Sequence, residues 1–460
     1  MCHCCGDKFF RINRYSKDKM SYKLKYHLYP IHGGWLNDPN GLCQYQGIYH
    51  IFYQYATAVD GSSDKCWYHF TTKDFIHYKD EGIAIYPDQE FDRSGAYSGC
   101  CYVEDGMHIF YTGNVKQEGK HDYIHSGRLS NTTYIYSKDG IHFDHKKVVL
   151  NNNDYPTDLT NHIRDPKVYK RNGIYEMYLG ARNNHDIGCV LVYESKDLIH
   201  WNYTKRITSE KPFGYMWECP DCIQLDNEYF LITCPQGIER QGYKYQNENQ
   251  NGYFHLKETL AYDYQTLDYG YDFYAPQTFK DDKDRTILIG WMGLPDKTPT
   301  HPTVKDGWQM ALTLPRELKN INHNIYQYPI DEILSLKKNE RQVIIDSTKK
   351  EYEKECMIHY ENHQQTFHIQ CNHLVLHYEN QIFSLSFLYD QTERKERSLE
   401  IIEIHELDIF LDSSSIEIFI NHGEKALTSR FYDDNECLTI TSNQPLEITY
   451  SDMNAFEYID

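Results

Sequence analysis

No apolar run in this 460-residue chain approaches the roughly 20 residues a helix needs to span a bilayer. The start, Met1-Cys2-His3-Cys4-Cys5-Gly6-Asp7, is polar and lacks the hydrophobic core of a secretory signal. Met20 offers a second start, and the expectation is a soluble, cytoplasmic protein. Positive charge is also scarce: 47 Lys and Arg stand against 67 Asp and Glu, a formal charge of −20. That is the reverse of the basic surface a nucleic acid requires, and it disfavours an anionic membrane as partner. A small anionic substrate stays open, because a few local cations suffice to hold one. Tryptophan is rare at 6, whereas tyrosine reaches 42 and phenylalanine 20, a balance that suits half-buried strands. The 14 cysteines are scattered and read as reduced thiols serving as small apolar residues. Cys219 and Cys222 form a lone C-x-x-C without the second pair that zinc needs. Cys2, His3, Cys4 and Cys5 could capture a metal, but the simpler reading is a polar tail.

Repetition takes the place of these signals. Thr72-Lys73-Asp74-Phe75-Ile76-His77-Tyr78 recurs as Ser137-Lys138-Asp139-Gly140-Ile141-His142-Phe143 and as Ser195-Lys196-Asp197-Leu198-Ile199-His200-Trp201. The intervals, about 65 and 58 residues, fall in the range of propeller blades or solenoid units. A second series reads as strands: Gly47 to Tyr53, Gly106 to Tyr111, Gly173 to Tyr178, Glu228 to Ile232 and Thr286 to Trp291. Each follows a segment that suits an innermost strand, beginning near Asp38, Ser98, Asp165, Glu218 and Ala275. A spacing of roughly 53 to 67 residues fits four antiparallel strands plus loops, and five such units close a ring without a long exposed edge.

Three carboxylates sit within two residues of a proline in these segments: Asp38 in Trp35-Leu36-Asn37-Asp38-Pro39-Asn40-Gly41, Asp165 in Arg164-Asp165-Pro166, and Glu218 in Trp217-Glu218-Cys219-Pro220. Aspartate before proline is also an ordinary turn signal. At equivalent points of a closed ring, however, the three would converge on the central channel. Two carboxyl groups facing one bond are the minimal equipment for cleaving a glycoside, and a third is free to hold the sugar.

The chain changes character after Leu314-Pro315-Arg316-Glu317-Leu318. Phe367-His368-Ile369-Gln370-Cys371, Ile382 to Leu388, Asp408 to Asp412 and Ile416 to Ile420 alternate with period two, as in an antiparallel β-sandwich. The expected architecture is all-β: a tail over 1–25, a five-bladed β-propeller over 26–320, a connector over 321–335 that is helical around Pro329 to Leu336, and a β-sandwich over 336–460.

Taken together, Trp35 to Gly41, Arg164-Asp165-Pro166, Glu218-Cys219-Pro220, Asp272-Phe273-Tyr274-Ala275-Pro276-Gln277 and Ser414-Ser415-Ile416-Glu417-Ile418-Phe419 resemble glycoside hydrolase family 32, the β-fructofuranosidases. Tyr215 to Asp221, Pro235-Gln236-Gly237 and Tyr245-Gln246-Asn247 resemble its bacterial sucrose-6-phosphate hydrolases and sucrases. The resemblance covers nearly everything from about Tyr26 onward. It implies a retaining hydrolase with Asp38 as nucleophile, Glu218 as general acid/base and Asp165 as transition-state stabiliser. Physical need agrees with these roles. Asn37 can favour the charge on Asp38, neighbouring carboxylates would raise the pKa of Glu218, and Arg164 can fork onto sugar oxygens while easing repulsion among the acids. A retaining mechanism expects the two working carboxyls about 5 to 5.5 Å apart.

Gln54, Tyr97, Ser98 and Tyr274 carry over as sugar contacts. Trp35, Trp67 and Trp291 offer aromatic faces for a sugar, while Trp217 is assigned to core packing. Relatives commonly have Trp-Gly-His where this chain has Trp67-Tyr68-His69, and Phe where it has Tyr97. They also have an apolar wall where it has Asp60-Gly61-Ser62-Ser63-Asp64-Lys65, so Lys65, helped by Arg240 or Lys244, is the expected phosphate contact. The resemblance implies no metal or organic cofactor and a small sugar, sucrose 6-phosphate or sucrose, as the only partner. Hydrolysis of short fructans or fructosyl transfer would use the same acids, and a silent carbohydrate-binding propeller is the alternative outside enzymes. Ser413, Ser414, Ser415 and Glu417 read as a stabilising interface within the chain. Oligomeric state is not legible.

Overall fold

A computed structural model describes residues 22–295, 301–389 and 394–459. Cys2, His3, Cys4, Cys5 and Met20 lie outside the described residues. Strands account for nearly all the regular structure, and no helix among the described residues is long and apolar enough to cross a membrane.

The thrice-repeated phrase is a turn with its own chemistry. Asp74 Oδ1 accepts the Ile76 and His77 backbone N–H groups at 3.0 and 2.9 Å, and Oδ2 meets His77 Nδ1 at 2.8 Å. Asp139 does the same for Ile141 and His142, and Asp197 for Ile199 and His200. The hydroxyls of Thr72, Ser137 and Ser195 accept the N–H three residues on. These local bonds replace ladder bonds where one strand ends and the next begins.

Each lead strand opens a run of four antiparallel strands. Gly34–Tyr45 leads a sheet that runs through Ile48–Ala56, Cys66–Thr72 and His77–Ile85, and Ala96–Val103 leads one through Met107–Lys116, Arg128–Ser137 and Lys147–Leu150. Leu159–Arg171 and Met216–Leu225 lead two runs of four, joined at their outer strands by a short parallel pairing of Thr208 and Ser209 with Leu260 and Ala261. Tyr274–Lys280 leads the last sheet, which ends in the hairpin Arg316–Ile321 and Asn324–Pro329. The lead strands pack in a cycle, the first on the second and so on, with the fifth returning to the first. The five strand phrases read from the sequence are the second strands of these sheets. At the outer edge of the first sheet, Glu457–Ile459 pairs in parallel with His77–Ile85.

Beyond Pro329 the chain builds two six-stranded sheets face to face. Ile358, Ile369, Leu376, Leu385, Ile409 and Ile418 fill the space between them, and Phe367–Cys371 alternates buried and half-buried residues as its sequence predicts. The segment 321–335, expected as a connector, contains the strand Asn324–Pro329. It also holds the helical turn Asp331–Leu334.

A buried charge network joins the two parts. Glu417 Oε2 accepts Arg316 Nε and Nη2 at 3.1 and 2.5 Å, while Oε1 meets Leu314 N and His27 Nε2 at 2.8 and 3.0 Å. Arg316 Nη1 reaches Asp268 at 3.1 Å and Gln327 at 2.7 Å. All three charged side chains, Arg316, Glu417 and Asp268, are fully buried. The serine-rich motif thus lies inside the chain's own interface, with Ser414 Oγ on the Tyr22 carbonyl and the Arg430 guanidinium. Breaking such a pair strands a buried charge. Glu417→Ala is expected to lower the unfolding free energy by about 3–5 kcal/mol, read by denaturant titration. A loss under about 1 kcal/mol would contradict the role given to this network.

Candidate active site

The five lead strands all break register at the same point. Four residues face three of the next strand at Leu36–Pro39, Ala96–Gly99, Arg164–Lys167, Glu218–Asp221 and Tyr274–Gln277. Such a bulge adds one residue and re-aims the side chains around it. In three of the strands the cause is visible. Pro166, Pro220 and Pro276 have no N–H to give the ladder, and the residues before them, Asp165, Cys219 and Ala275, adopt φ of 62°, 48° and 45°.

Because the bulges align, equivalent positions meet. At the first position of each bulge, Arg164 Nη2 and Nε donate to Glu218 Oε1 at 2.6 and 3.1 Å, and the Tyr274 hydroxyl donates to Glu218 Oε2 at 2.5 Å. At the second, Asp165 Oδ2 accepts the Cys219 N–H at 3.0 Å. At the third, Ser98 Oγ donates to Asp38 Oδ2 at 2.5 Å. The fourth forms a floor: Lys167 pairs with Asp221 at 3.1 Å and Gln277 donates to the Gly99 carbonyl at 2.8 Å.

Both oxygens of Asp38 are served by two-step relays. Trp35 Nε1 donates to Asn37 at 2.6 Å and Asn37 to Asp38 Oδ1 at 2.9 Å, while Gln54 donates to Ser98 at 2.6 Å. Burial pushes the Asp38 carboxyl up to about 6, with the Ser98 bond opposing and the Glu218 charge adding to the rise. Burial pushes Asp165 up to about 7, opposed by Arg164 and reinforced by Glu218. Arg164, 3.9 Å from Asp165, is the cation among the three acids. Burial works against its charge, but Glu218 and Asp165 outweigh that and hold its pKa above the usual arginine value.

Asp38, Asn37, Ser98 and Gln54 therefore form one hydrogen-bonded set and Glu218, Arg164 and Tyr274 another, with Asp165 beside Arg164, and the acids of the two sets lie close enough to raise each other's pKa. Trp35 stands at the edge of the first set, with Lys65 Nζ 5.5 Å from its ring centre. The other two aromatic walls are placed differently. Trp67 is fully buried, packed at tilted and edge-on angles against Phe52 and Tyr111, and its Nε1 supports the half-buried Tyr97 through that residue's carbonyl at 3.0 Å. Trp291 is 1% exposed behind Tyr274, its strand partner. Neither presents a free ring face. Trp217 is buried on Phe254, as expected of a packing residue. Lys65 donates to the Gly61 carbonyl at 2.8 Å, and Arg240 and Lys244 are exposed. Cys219 and Cys222 part company, the first against Asp165 and the second in the core beside Trp217.

Two members of the site escaped the sequence reading, one holding an acid and one holding Arg164. Gln236 donates to Glu218 Oε2 at 2.6 Å, and its strand pairing with Met216 was implicit in the hairpin. His162 Nδ1 accepts Arg164 Nη1 at 2.9 Å while Nε2 meets the Tyr123 carbonyl at 3.0 Å. That fixes the neutral tautomer, and burial and the neighbouring arginines depress its pKa strongly.

The glycosyl hydrolases family 32 N-terminal domain matches residues 27–329, and the C-terminal domain of the same family matches 318–455. The chain belongs to glycosyl hydrolase family 32. A sucrose-6-phosphate hydrolase of Bacillus subtilis is 34% identical over 436 residues, covering 89% of either chain. The solved sucrose-6-phosphate hydrolase of Lactobacillus gasseri superposes with a TM-score of 0.85 at 28% identity, over 95% of this chain and 94% of that one. A family 32 β-fructofuranosidase of Bombyx mori, solved as a variant in complex with sucrose, gives 0.84 at 28% identity over 95% of each. As in other members of the family, a propeller precedes a β-sandwich.

Gathering three acids in this family 32 site works against folding. Below about pH 3, Asp165 holds its proton whether folded or not. As the pH rises towards about 7, the unfolded chain releases that proton and the folded one retains it, so stability falls with pH. Asp165→Asn keeps the shape and removes the charge. It is expected to match the wild-type melting temperature near pH 3 and to exceed it at pH 8 by the equivalent of about 4 kcal/mol. An offset that does not grow with pH would contradict this.

Proposed function

We propose that the protein is a retaining β-fructofuranosidase whose preferred substrate is sucrose 6-phosphate, with sucrose as the slower alternative. The observation that carries this reading is the meeting of Asp38, Asp165 and Glu218, from three different lead strands, with Arg164 beside the latter two, in a member of family 32. Likeness to sucrose-6-phosphate hydrolases over most of the chain supports the phosphorylated sugar. A sugar phosphate does not cross a membrane unaided, so this substrate assigns the enzyme to the cytoplasm.

Five blades are the architecture we assign to the propeller, supported by the closed cycle of five lead strands. The domain boundary falls after Pro329, supported by the hairpin that ends there and by the span of the N-terminal domain match.

In this reading Asp38 attacks the anomeric carbon of the fructosyl unit as Glu218 delivers its proton to the glycosidic oxygen. The C–O bond breaks, glucose 6-phosphate leaves, and a fructosyl ester on Asp38 remains. Water, deprotonated by Glu218, then opens the ester and restores both groups. Arg164 and Asp165 hold fructosyl hydroxyls, and Arg164 tempers the mutual repulsion of the acids. Tyr274 and Gln236 fix the Glu218 carboxyl so that one oxygen faces the bond.

Glu218→Gln is expected to lower kcat/KM for sucrose 6-phosphate by about 10²–10⁴-fold; retained turnover would refute the assignment of the acid. Since the nucleophile must be ionised, the acid limb of the kcat/KM profile should lie near pH 6. Ser98→Ala removes a bond to the charged form and should move that limb upward by about one pH unit. An unmoved limb would count against Asp38.

A further inference from the structure

One feature of the site is out of character for so acidic a chain. Lys116 and Arg128 are directly opposite each other on neighbouring antiparallel strands, where like charges are destabilising. Among the described residues neither meets a carboxylate. Lys116 stands 5.9 Å above the Tyr123 ring. Arg128 is half-buried and donates only to neutral oxygens, Nε to the Tyr123 carbonyl at 3.0 Å and Nη1 to Asn114 at 3.3 Å, leaving Nη2 without a hydrogen bond. With 67 acidic residues in the chain, the pair has been left without the neutralisation found at Arg182, Arg206 or Arg285.

The pair also sits where a leaving group would lie. Its strands extend past Ala96, at the end of the sheet that carries Tyr97 and Ser98. The Tyr123 carbonyl that accepts Arg128 Nε also meets His162 Nε2, whose other nitrogen holds Arg164, which in turn holds Glu218. Arg128 is thus tied by a short chain of hydrogen bonds to the group assigned to protonate the leaving oxygen. Burial and the like charge of Arg164 work against its own charge, and Tyr97 and Glu218 lie close enough to feel it. The cations expected from the sequence are placed less well. Lys65 is bonded to Gly61 and lies between Asp38, on the nucleophile's side, and Lys116, whose like charge it feels. Arg240 and Lys244 stand near other cations, Arg397 and Lys425.

We propose that Arg128, with Lys116 across the strand, forms the subsite for the phosphate monoester of the leaving sugar. This rests on the reading of the enzyme as a sucrose-6-phosphate hydrolase. Guanidinium geometry suits two phosphate oxygens, and Lys116 adds a mobile second charge at the rim.

The test compares kcat/KM on sucrose 6-phosphate and on sucrose for the wild type, Arg128→Gln, Lys116→Gln and, as a control, Lys244→Gln. Inhibition of sucrose hydrolysis by glucose 6-phosphate is measured for each. The ratio of the two kcat/KM values is expected to fall at least about tenfold in Arg128→Gln and by about threefold in Lys116→Gln, with a matching rise in the inhibition constant for glucose 6-phosphate; Lys244→Gln keeps both. Lys116 is exposed, so its variant serves even if Arg128→Gln folds poorly. A wild type that prefers the phosphorylated sugar, combined with variants that keep the preference, overturns the subsite alone. A wild type without the preference overturns the phosphorylated-substrate reading and the subsite with it.

Discussion

Everything at the candidate site depends on one extra residue in each of five strands. A regular pleat would alternate the faces of Arg164, Asp165 and Pro166 and keep neighbouring sheets out of register at their tips. The shared bulge instead places chemically different residues at matching positions, so that Arg164, Glu218 and Tyr274 meet as one set and Asp38 and Ser98 as another. Proline enforces it in three strands by withholding a ladder donor. The floor of Lys167, Asp221, Gln277 and Gly99 then locks the tips together.

That arrangement carries an electrostatic burden. Two of the acids, Asp38 and Asp165, are driven up by burial and by the Glu218 charge, and Arg164 is the cation that offsets the rise at Asp165. The compensation lies elsewhere, in aromatic-rich sheets and in the sandwich docked through Arg316, Glu417 and Asp268. His27 belongs to the same network: burial opposes its charge, but Asp412 and Glu417 on either side raise its pKa nonetheless. The sandwich contributes no member to the acid cluster described above. Its part is to hold the last propeller sheet, through the Arg316–Pro329 hairpin, in a fixed relation to the first.

Much of this was legible before any coordinates. The triple phrase signalled a repeat because an aspartate capping two N–H groups and a histidine is a local solution that the chain uses again wherever the same turn recurs. The expected starts of the innermost strands, at Asp38, Ser98, Asp165, Glu218 and Ala275, fall within the bulges. What the sequence hides is facing. Trp67 and Trp291 lie in the right strands but point into the sheet stack, because a one-residue shift reverses inside and outside and composition alone does not show it. Gln236 acts on an acid of the neighbouring strand, and His162 acts through Arg164, two residues along its own strand. Lys116 and Arg128 are twelve positions apart around a loop, and only the register brings them face to face. The hairpin to Pro329 was absorbed into a connector because its second strand, Asn-Ile-Tyr-Gln-Tyr-Pro, is short and polar.

The most direct measurement is the identity of the residue that carries the fructosyl group. A Glu218→Gln enzyme given fructosyl fluoride, whose leaving group needs no proton, should form the ester readily and hydrolyse it slowly for want of a base. Acid quenching and peptide mass spectrometry are then expected to find one anhydrohexose on the peptide spanning Trp35 to Gly41, at Asp38. An adduct on Asp165, or none at all together with an inverted fructose product, would contradict the account.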